Sequence, residues 1–131
     1  MGHRVLGHEG RCRNLHGHNY VARLTAEADA LDAVGRVVDF SVLKAVGGWI
    51  EQNWDHGFLL HKDDPLLSLW GSGFPLEMHK FYRMGENPTA ENIARYLLEE
   101  VCVTLFGGGQ GFRVVRVVVE ETENCSAEAT L

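Results

Sequence analysis

The sequence predicts an α+β fold built on an antiparallel sheet, and three patterns carry that expectation. Across residues 19–29 apolar and polar positions alternate. Tyr20, Ala22, Leu24, Ala26 and Ala28 share one face, with Val21, Arg23, Thr25 and Glu27 on the other. Period two with one polar face marks a half-buried strand. Two later segments carry helical stripes. Residues 112–121, with five valines, read as a central strand.

In chain order, residues 1–15 are irregular, with Gly2, Gly7 and Gly10 among scattered charges. The strand at 19–29 follows. Gly35 then opens Arg36-Val37-Val38, which predicts a short strand pairing back as a hairpin. Asp39 suits a helix N-cap. Leu43, Val46 and Ile50 follow at i, i+3 and i+7, so a helix is expected over 40–53. Gly47-Gly48 lies inside it, at a cost of ~1 kcal/mol per Gly relative to Ala. An unbroken helix that packs closely there is the expected reading. Residues 55–73 read mostly as loop, with Asp63-Asp64-Pro65 a solvated turn, and 80–84 as a short strand. In Glu86-Asn87-Pro88-Thr89, Asn87 or Thr89 can cap a second helix. Ile93, Leu97, Val101 and Leu105 form its stripe, and Gly107-Gly108-Gly109 ends it. The polar tail from Asn124 is expected to be partly ordered. Trp49, Trp54 and Trp70 read as packing residues.

A length of 131 residues is one domain's worth. Apolar residues at 45 % and charged residues at 23 % argue against a disordered polypeptide. No apolar run approaches the ~20 residues of a membrane span, and no signal-peptide pattern opens the sequence. The net charge of −6 argues against a nucleic-acid partner. Cys12, Cys102 and Cys125 are odd in number and widely spaced, which points to a reducing, cytoplasmic location.

The chemistry concentrates near the start. His16 and His18 flank Gly17 at a strand entry, where residues i and i+2 point to one side, so two imidazoles can serve one metal. Gly17 permits close backbone approach. A catalytic zinc site takes three protein ligands and keeps a position open. His3, His8, Cys12, His56 and His61 are candidates for the third. Cys12 could instead be a thiolate beside the metal, usable as a base. Asp55 next to His56 can fix an imidazole tautomer. Glu121 shares the face of Val115, Val117 and Val119 in the alternating pattern. A carboxylate ending an apolar face calls for a partner, such as the paired N–H donors of a heterocycle edge.

Several stretches together resemble a known family. Cys12-Arg13-Asn14-Leu15-His16-Gly17-His18-Asn19-Tyr20 resembles the signature of the 6-pyruvoyltetrahydropterin synthase superfamily. Gly2-His3-Arg4, Val38-Asp39-Phe40 with Leu43-Lys44, Asp55-His56, Asn87-Pro88-Thr89-Ala90-Glu91-Asn92, and Glu121-Thr122 with Ala127-Glu128 resemble its other segments in order. The three-residue spacer between Cys12 and His16 resembles the bacterial 6-carboxytetrahydropterin synthases of queuosine biosynthesis.

The resemblance implies zinc held by His3, His16 and His18, a proton-abstracting Cys12, and a relay of His56 with Asp55. It implies that Glu121 anchors the pterin, beside Thr122, and Glu121 also enters the relay in some descriptions. The implied fold is the tunnelling fold: a four-stranded antiparallel sheet with two helices on one face, assembled around a barrel. A homohexamer of two trimers, with active sites at subunit interfaces, goes with it. The implied reaction is zinc-dependent conversion of 7,8-dihydroneopterin triphosphate to 6-carboxy-5,6,7,8-tetrahydropterin, with loss of acetaldehyde and triphosphate. The alternatives are triphosphate elimination alone, giving the pyruvoyl product, or an impaired homologue that still binds pterin and zinc. A Cys/His structural zinc module, with Cys12 as a ligand, is a further reading. The family strand that precedes the first ligand is expected to be shortened or missing within the single domain 1–131, which would leave His3 near a fraying end.

Overall fold

The computed structural model describes residues 1–69 and 79–131. Among the described residues seven strands form two sheets. β1 (Gly2–His3), β2 (His16–Gly17), β4 (Phe58–His61) and β5 (Phe81–Met84) make the first, in the order β2-β1-β4-β5. β3 (Val21–Glu27), β6 (Arg113–Thr122) and β7 (Cys125–Thr130) make the second, in the order β3-β6-β7. The second sheet is antiparallel throughout. In the first, β1 pairs antiparallel with β2 but parallel with β4, and β4 runs parallel to β5. The α+β class therefore stands, with the strands divided between two sheets rather than gathered in one.

Helix α1 (Phe40–Asn53) spans the expected residues, and Asp39 caps it by accepting from Ser41 N at 2.8 Å. Gly47 and Gly48 do not break it. They are not closely packed either: a Cβ at either position would meet open space. Helix α2 is described over Leu66–Leu69. Helix α3 (Ala90–Tyr96) is capped by Thr89 rather than Asn87, the Thr89 side chain accepting from Asn92 N. It runs without interruption through a π-helical stretch, Leu97–Cys102, into α4 (Val103–Phe106). The wider π turn places Leu97, Leu98, Val101 and Cys102 all in the core. Val46, Trp54, Leu59, Met84, Ile93, Val114, Val117 and Val119 complete that core between the helices and the sheets.

Four expectations need correction. Arg36-Val37-Val38 forms no strand: Asp32 instead accepts from Val34 N and Arg36 N and pairs with the Arg36 guanidinium, closing a loop. The supposed loop after Asp55 contains β4, whose Leu59 and Leu60 are fully buried. An all-apolar Phe-Leu-Leu core carries no alternation to reveal it. The polar tail is strand β7, held by pairing with β6 and by Arg116–Glu128. Asp64 is not solvated: it is 2 % exposed and accepts from Arg4 Nε at 2.6 Å, Arg4 Nη2 at 2.8 Å and Leu66 N at 2.9 Å. Trp49 and Trp54 pack edge to face, as expected, while Trp70 and the rest of that segment to Met78 lie outside the described residues. Among the described residues no helix is long and apolar enough to cross a membrane.

A bulge also alters β6. Thr25 pairs with Arg116 but Ala26 with Val114, so Val115 is skipped. Val114, not Val115, consequently joins Val117 and Val119 among the buried residues.

The open space at Gly47 gives a direct test. Gly47→Ala should stabilise the protein by about 0.5–1 kcal/mol, through helix propensity and the loss of unfolded-state freedom. Urea unfolding reads this, and a lower midpoint would show that close packing occurs there after all.

Candidate metal and active site

The site forms where the backbone passes from the first sheet to the second. β1 and β2 pair with His3 opposite His16. Gly17 makes this possible: a Cβ there would lie 2.9 Å from the Met1 carbonyl oxygen and 3.3 Å from Gly2 Cα. His18 and Tyr20 follow in the three-residue passage to β3. The rings of His3 and His16 lie 4.4 Å apart, those of His3 and His18 5.4 Å, and those of His16 and His18 5.1 Å.

His3 does not fray. It is 1 % exposed, with β2 on one side of its strand and β4 on the other. Its Nδ1 donates to the Pro88 carbonyl at 2.7 Å, across 85 residues of sequence. His16 Nδ1 donates to the Asn14 carbonyl at 2.7 Å. In the neutral imidazole this leaves the Nε2 lone pair free on each ring. Fixing the outer nitrogen on a carbonyl is how metal-ligating histidines are oriented. His3, His16 and His18 each offer one nitrogen, and these lie within 4.8 Å of one another. The donor set suits a borderline-soft divalent metal such as zinc.

Glu121 belongs to the same cluster. The β6–β7 register shifts between Glu120 and Thr122, so Glu121 sits at an irregularity that re-aims its side chain. Val21 pairs with Glu120, which places Tyr20 and Glu121 one step beyond. Tyr20 donates its hydroxyl to Glu121 Oε1 at 2.9 Å, and the same hydroxyl oxygen lies 3.0 Å from His3 Nε2. Glu121 Oε1 is 3.3 Å from His3 Nε2 and 3.7 Å from His18 Nε2. Burial first, then the Glu121 charge and hydrogen bond, push the Tyr20 hydroxyl far above its ordinary pKa. Tyr20 is the residue that sequence reasoning misses, since alternation marks it only as an apolar strand position.

Cys12 is partly buried on a 3-10 turn, Arg11–Arg13. Its carbonyl accepts from Val5 N at 2.8 Å, tying the turn back to the segment after His3. Cys12 acts electrostatically on Tyr20, which places it near the cluster without making it one of the grouped donors. His56 stands apart. Its side chain is 91 % exposed, its φ is +56°, and Nδ1 donates to Asp55 Oδ2 at 2.8 Å. That hydrogen bond holds the Asp55 carboxyl below its usual range. Among the described residues no hydrogen bond, ion pair or ring contact joins His56 to the three histidines. Asp55 lines a cavity of about 190 Å³ with Asn19, Trp54, Ile93 and Tyr20, the last of which joins it to the cluster. Thr122 is exposed and spends its hydroxyl on Asn124 N, closing the β6–β7 turn. His8 accepts from Gly10 N, and His61 from Asp63 N, so neither joins the cluster.

Comparison with known proteins fits this geometry. The description of the 6-pyruvoyl tetrahydropterin synthase family matches residues 1–130. The chain belongs to that family. A 6-carboxy-5,6,7,8-tetrahydropterin synthase from Rickettsia bellii is 41 % identical over 131 residues, covering 97 % of this chain and 91 % of that protein. A protein of the same name from Aquifex aeolicus is 34 % identical over 122 residues, covering 90 % and 75 %. Among solved structures, an uncharacterized protein from Wolinella succinogenes superposes with a TM-score of 0.82 at 26 % identity, covering 98 % of this chain and 91 % of that one. The 6-pyruvoyltetrahydropterin synthase of Plasmodium vivax shares the fold at a TM-score of 0.72 and 20 % identity, covering 98 % and 87 %.

The burial of His3 bears on stability. Burial lowers its pKa from the ordinary 6.5, His16 and His18 add to this, and the Pro88 carbonyl and Glu121 oppose it. Below pH 6.5 the unfolded state therefore takes up the proton first. The metal-free protein should hold its full His3 contribution above that pH and lose it progressively on acidification. Urea midpoints in the presence of a chelator should fall from pH 6.5 downward. His3→Gln should flatten that part of the curve, and an unchanged slope would count against this account.

Proposed function

We propose that the protein is a zinc-dependent lyase that converts 7,8-dihydroneopterin triphosphate to 6-carboxy-5,6,7,8-tetrahydropterin, releasing acetaldehyde and triphosphate. The observation that carries this is the three-histidine cluster, with the outer nitrogens of His3 and His16 fixed on backbone carbonyls. The names of the Rickettsia and Aquifex relatives favour the carboxy product over the pyruvoyl one. The proposed product belongs to the queuosine route, and the free Cys12, Cys102 and Cys125 support a reducing, cytoplasmic location.

In this reading His3, His16 and His18 hold the zinc. When bound, the zinc supplies Lewis acidity that makes the C–H bonds next to the substrate's hydroxyls easier to deprotonate. Cys12, as thiolate, takes a proton from one of those carbons. His56, oriented through Nδ1 by Asp55, carries protons at its free Nε2. Glu121 accepts the paired N–H donors of the pterin ring, with Thr122 beside it. The outward set of His56 suits a site completed by a neighbouring copy, and a homohexamer of two trimers supplies such copies.

The test measures zinc content and the products formed from 7,8-dihydroneopterin triphosphate. The expected result is one zinc per subunit, with carboxytetrahydropterin and acetaldehyde released together. Cys12→Ala should keep its zinc and lose roughly 10²–10⁴-fold in turnover, the usual loss for a removed proton carrier. His16→Ala should lose the metal itself. Zinc loss in Cys12→Ala would instead favour a structural Cys/His site, and triphosphate release without acetaldehyde would favour the pyruvoyl product.

A further inference from the structure

Glu121 and His3 meet in a way that the pterin-anchoring role does not explain. His3 Nδ1 can only donate to the Pro88 carbonyl, so in the neutral ring Nε2 presents a lone pair. The single Tyr20 hydroxyl proton goes to Glu121 Oε1. His3 Nε2 and Glu121 Oε1 face each other at 3.3 Å, and the Tyr20 hydroxyl proton is spent on the carboxylate. The same oxygen lies 3.7 Å from His18 Nε2. A ring nitrogen and a carboxylate oxygen turned toward the same point suit a cation held between them. Their spacing also fits one: ligands at 2.0–2.1 Å in a tetrahedral zinc site stand about 3.3–3.4 Å from each other.

We infer that the Glu121 carboxylate is an exchangeable fourth ligand, which Tyr20 holds at the three-histidine metal site while no substrate is bound. This rests on the proposed function, in which the same carboxylate anchors the pterin ring. Accepting paired N–H donors takes both carboxylate oxygens, including the Oε1 that faces His3 and His18, so the two roles compete for that oxygen. Binding of the pterin draws Glu121 off the metal and opens the fourth position as the ring arrives. The metal is thus screened from other anions until the substrate is in place. Glu121 approaches the cluster from the side of His3 and His18.

The experiment uses the full-length protein, stripped of metal and reloaded with Zn²⁺ or Co²⁺. Zinc affinity is read by competition with a chromophoric chelator. The visible spectrum of the cobalt form is followed during titration with azide, which binds an open metal position. Glu121→Gln keeps the shape of the side chain and removes its charge. It should weaken zinc by tenfold or more, since even groups that only orient metal ligands are worth roughly 10–100-fold. It should also let azide change the cobalt spectrum at concentrations that leave the parent protein unaltered. Tyr20→Phe frees the carboxylate without removing it, and should raise azide sensitivity with a smaller loss of zinc affinity. That second variant decides the matter should Glu121→Gln fail to fold by circular dichroism.

Equal azide responses in the parent protein and Tyr20→Phe, with zinc affinity unchanged in the folded variants, would overturn the inference. So would a parent protein that takes up no metal, which would end the zinc-lyase reading as well. A parent protein that shows the coordination behaviour but yields no pterin product would end only the lyase reading and would support the Glu121 ligand.

Discussion

The position of His3 is settled by contacts from three separate parts of the sequence. β2 pairs with its strand on one side and β4 on the other, and the Pro88 carbonyl takes its Nδ1 proton. The contacts with β4 and Pro88 are long in sequence, so they require the first sheet and the turn before α3 to come together. Asn87 strengthens that junction: its side chain accepts from Leu6 N at 2.8 Å and donates to the Leu6 carbonyl at 2.9 Å. Arg4, beside His3, is locked onto buried Asp64. The imidazole therefore presents Nε2 in one direction, and His16, His18, Tyr20 and Glu121 are arranged around that direction.

The other members reach it through irregularities rather than through regular strands. Gly17 lets β1 lie against β2 more closely than any side chain would allow. The register shift at the end of β6 turns Glu121 away from the ladder and toward Tyr20. A left-handed φ at His56, strained by about 1–3 kcal/mol for a non-glycine residue, sends that side chain outward beside Asp55. Departures of this kind cluster at working sites because regular geometry cannot converge several elements on one point.

These irregularities explain what the sequence discloses and what it hides. Helix α1 is legible to the residue, because Asp39 and the Leu43-Val46-Ile50 stripe are local signals. β3 is legible from alternation, and the close approach at Gly17 from its place between two histidines. The parallel β1–β4–β5 pairing is not legible, since two- and four-residue strands carry no period and their partners lie far away in sequence. Asp64 looks like a turn residue because nothing near it announces Arg4, sixty residues upstream. Motif resemblance names His3, His16, His18 and Glu121, but it does not say that Glu121 lies against the histidines. That follows only from the bulge. It also gives no role to Tyr20, whose phenol reads as one more apolar strand position until its hydroxyl is seen between His3 and Glu121.

The placement of the groups follows a division of labour. The donors that would hold a metal sit on or beside strands: His3 on β1, His16 on β2, His18 next to it, and Glu121 near the end of β6. Metal ligands need positions fixed to a fraction of an ångström, and paired backbone supplies that. The groups proposed to move protons sit elsewhere, Cys12 on a 3-10 turn and His56 on the link between α1 and β4. A proton carrier must approach its substrate and then withdraw, which connecting segments allow and a ladder does not. Glu121 stands between these two classes. Its backbone belongs to a strand, but the register is lost at that point and its side chain is held by Tyr20 rather than by the ladder. A carboxylate placed there can serve the metal and the pterin in succession.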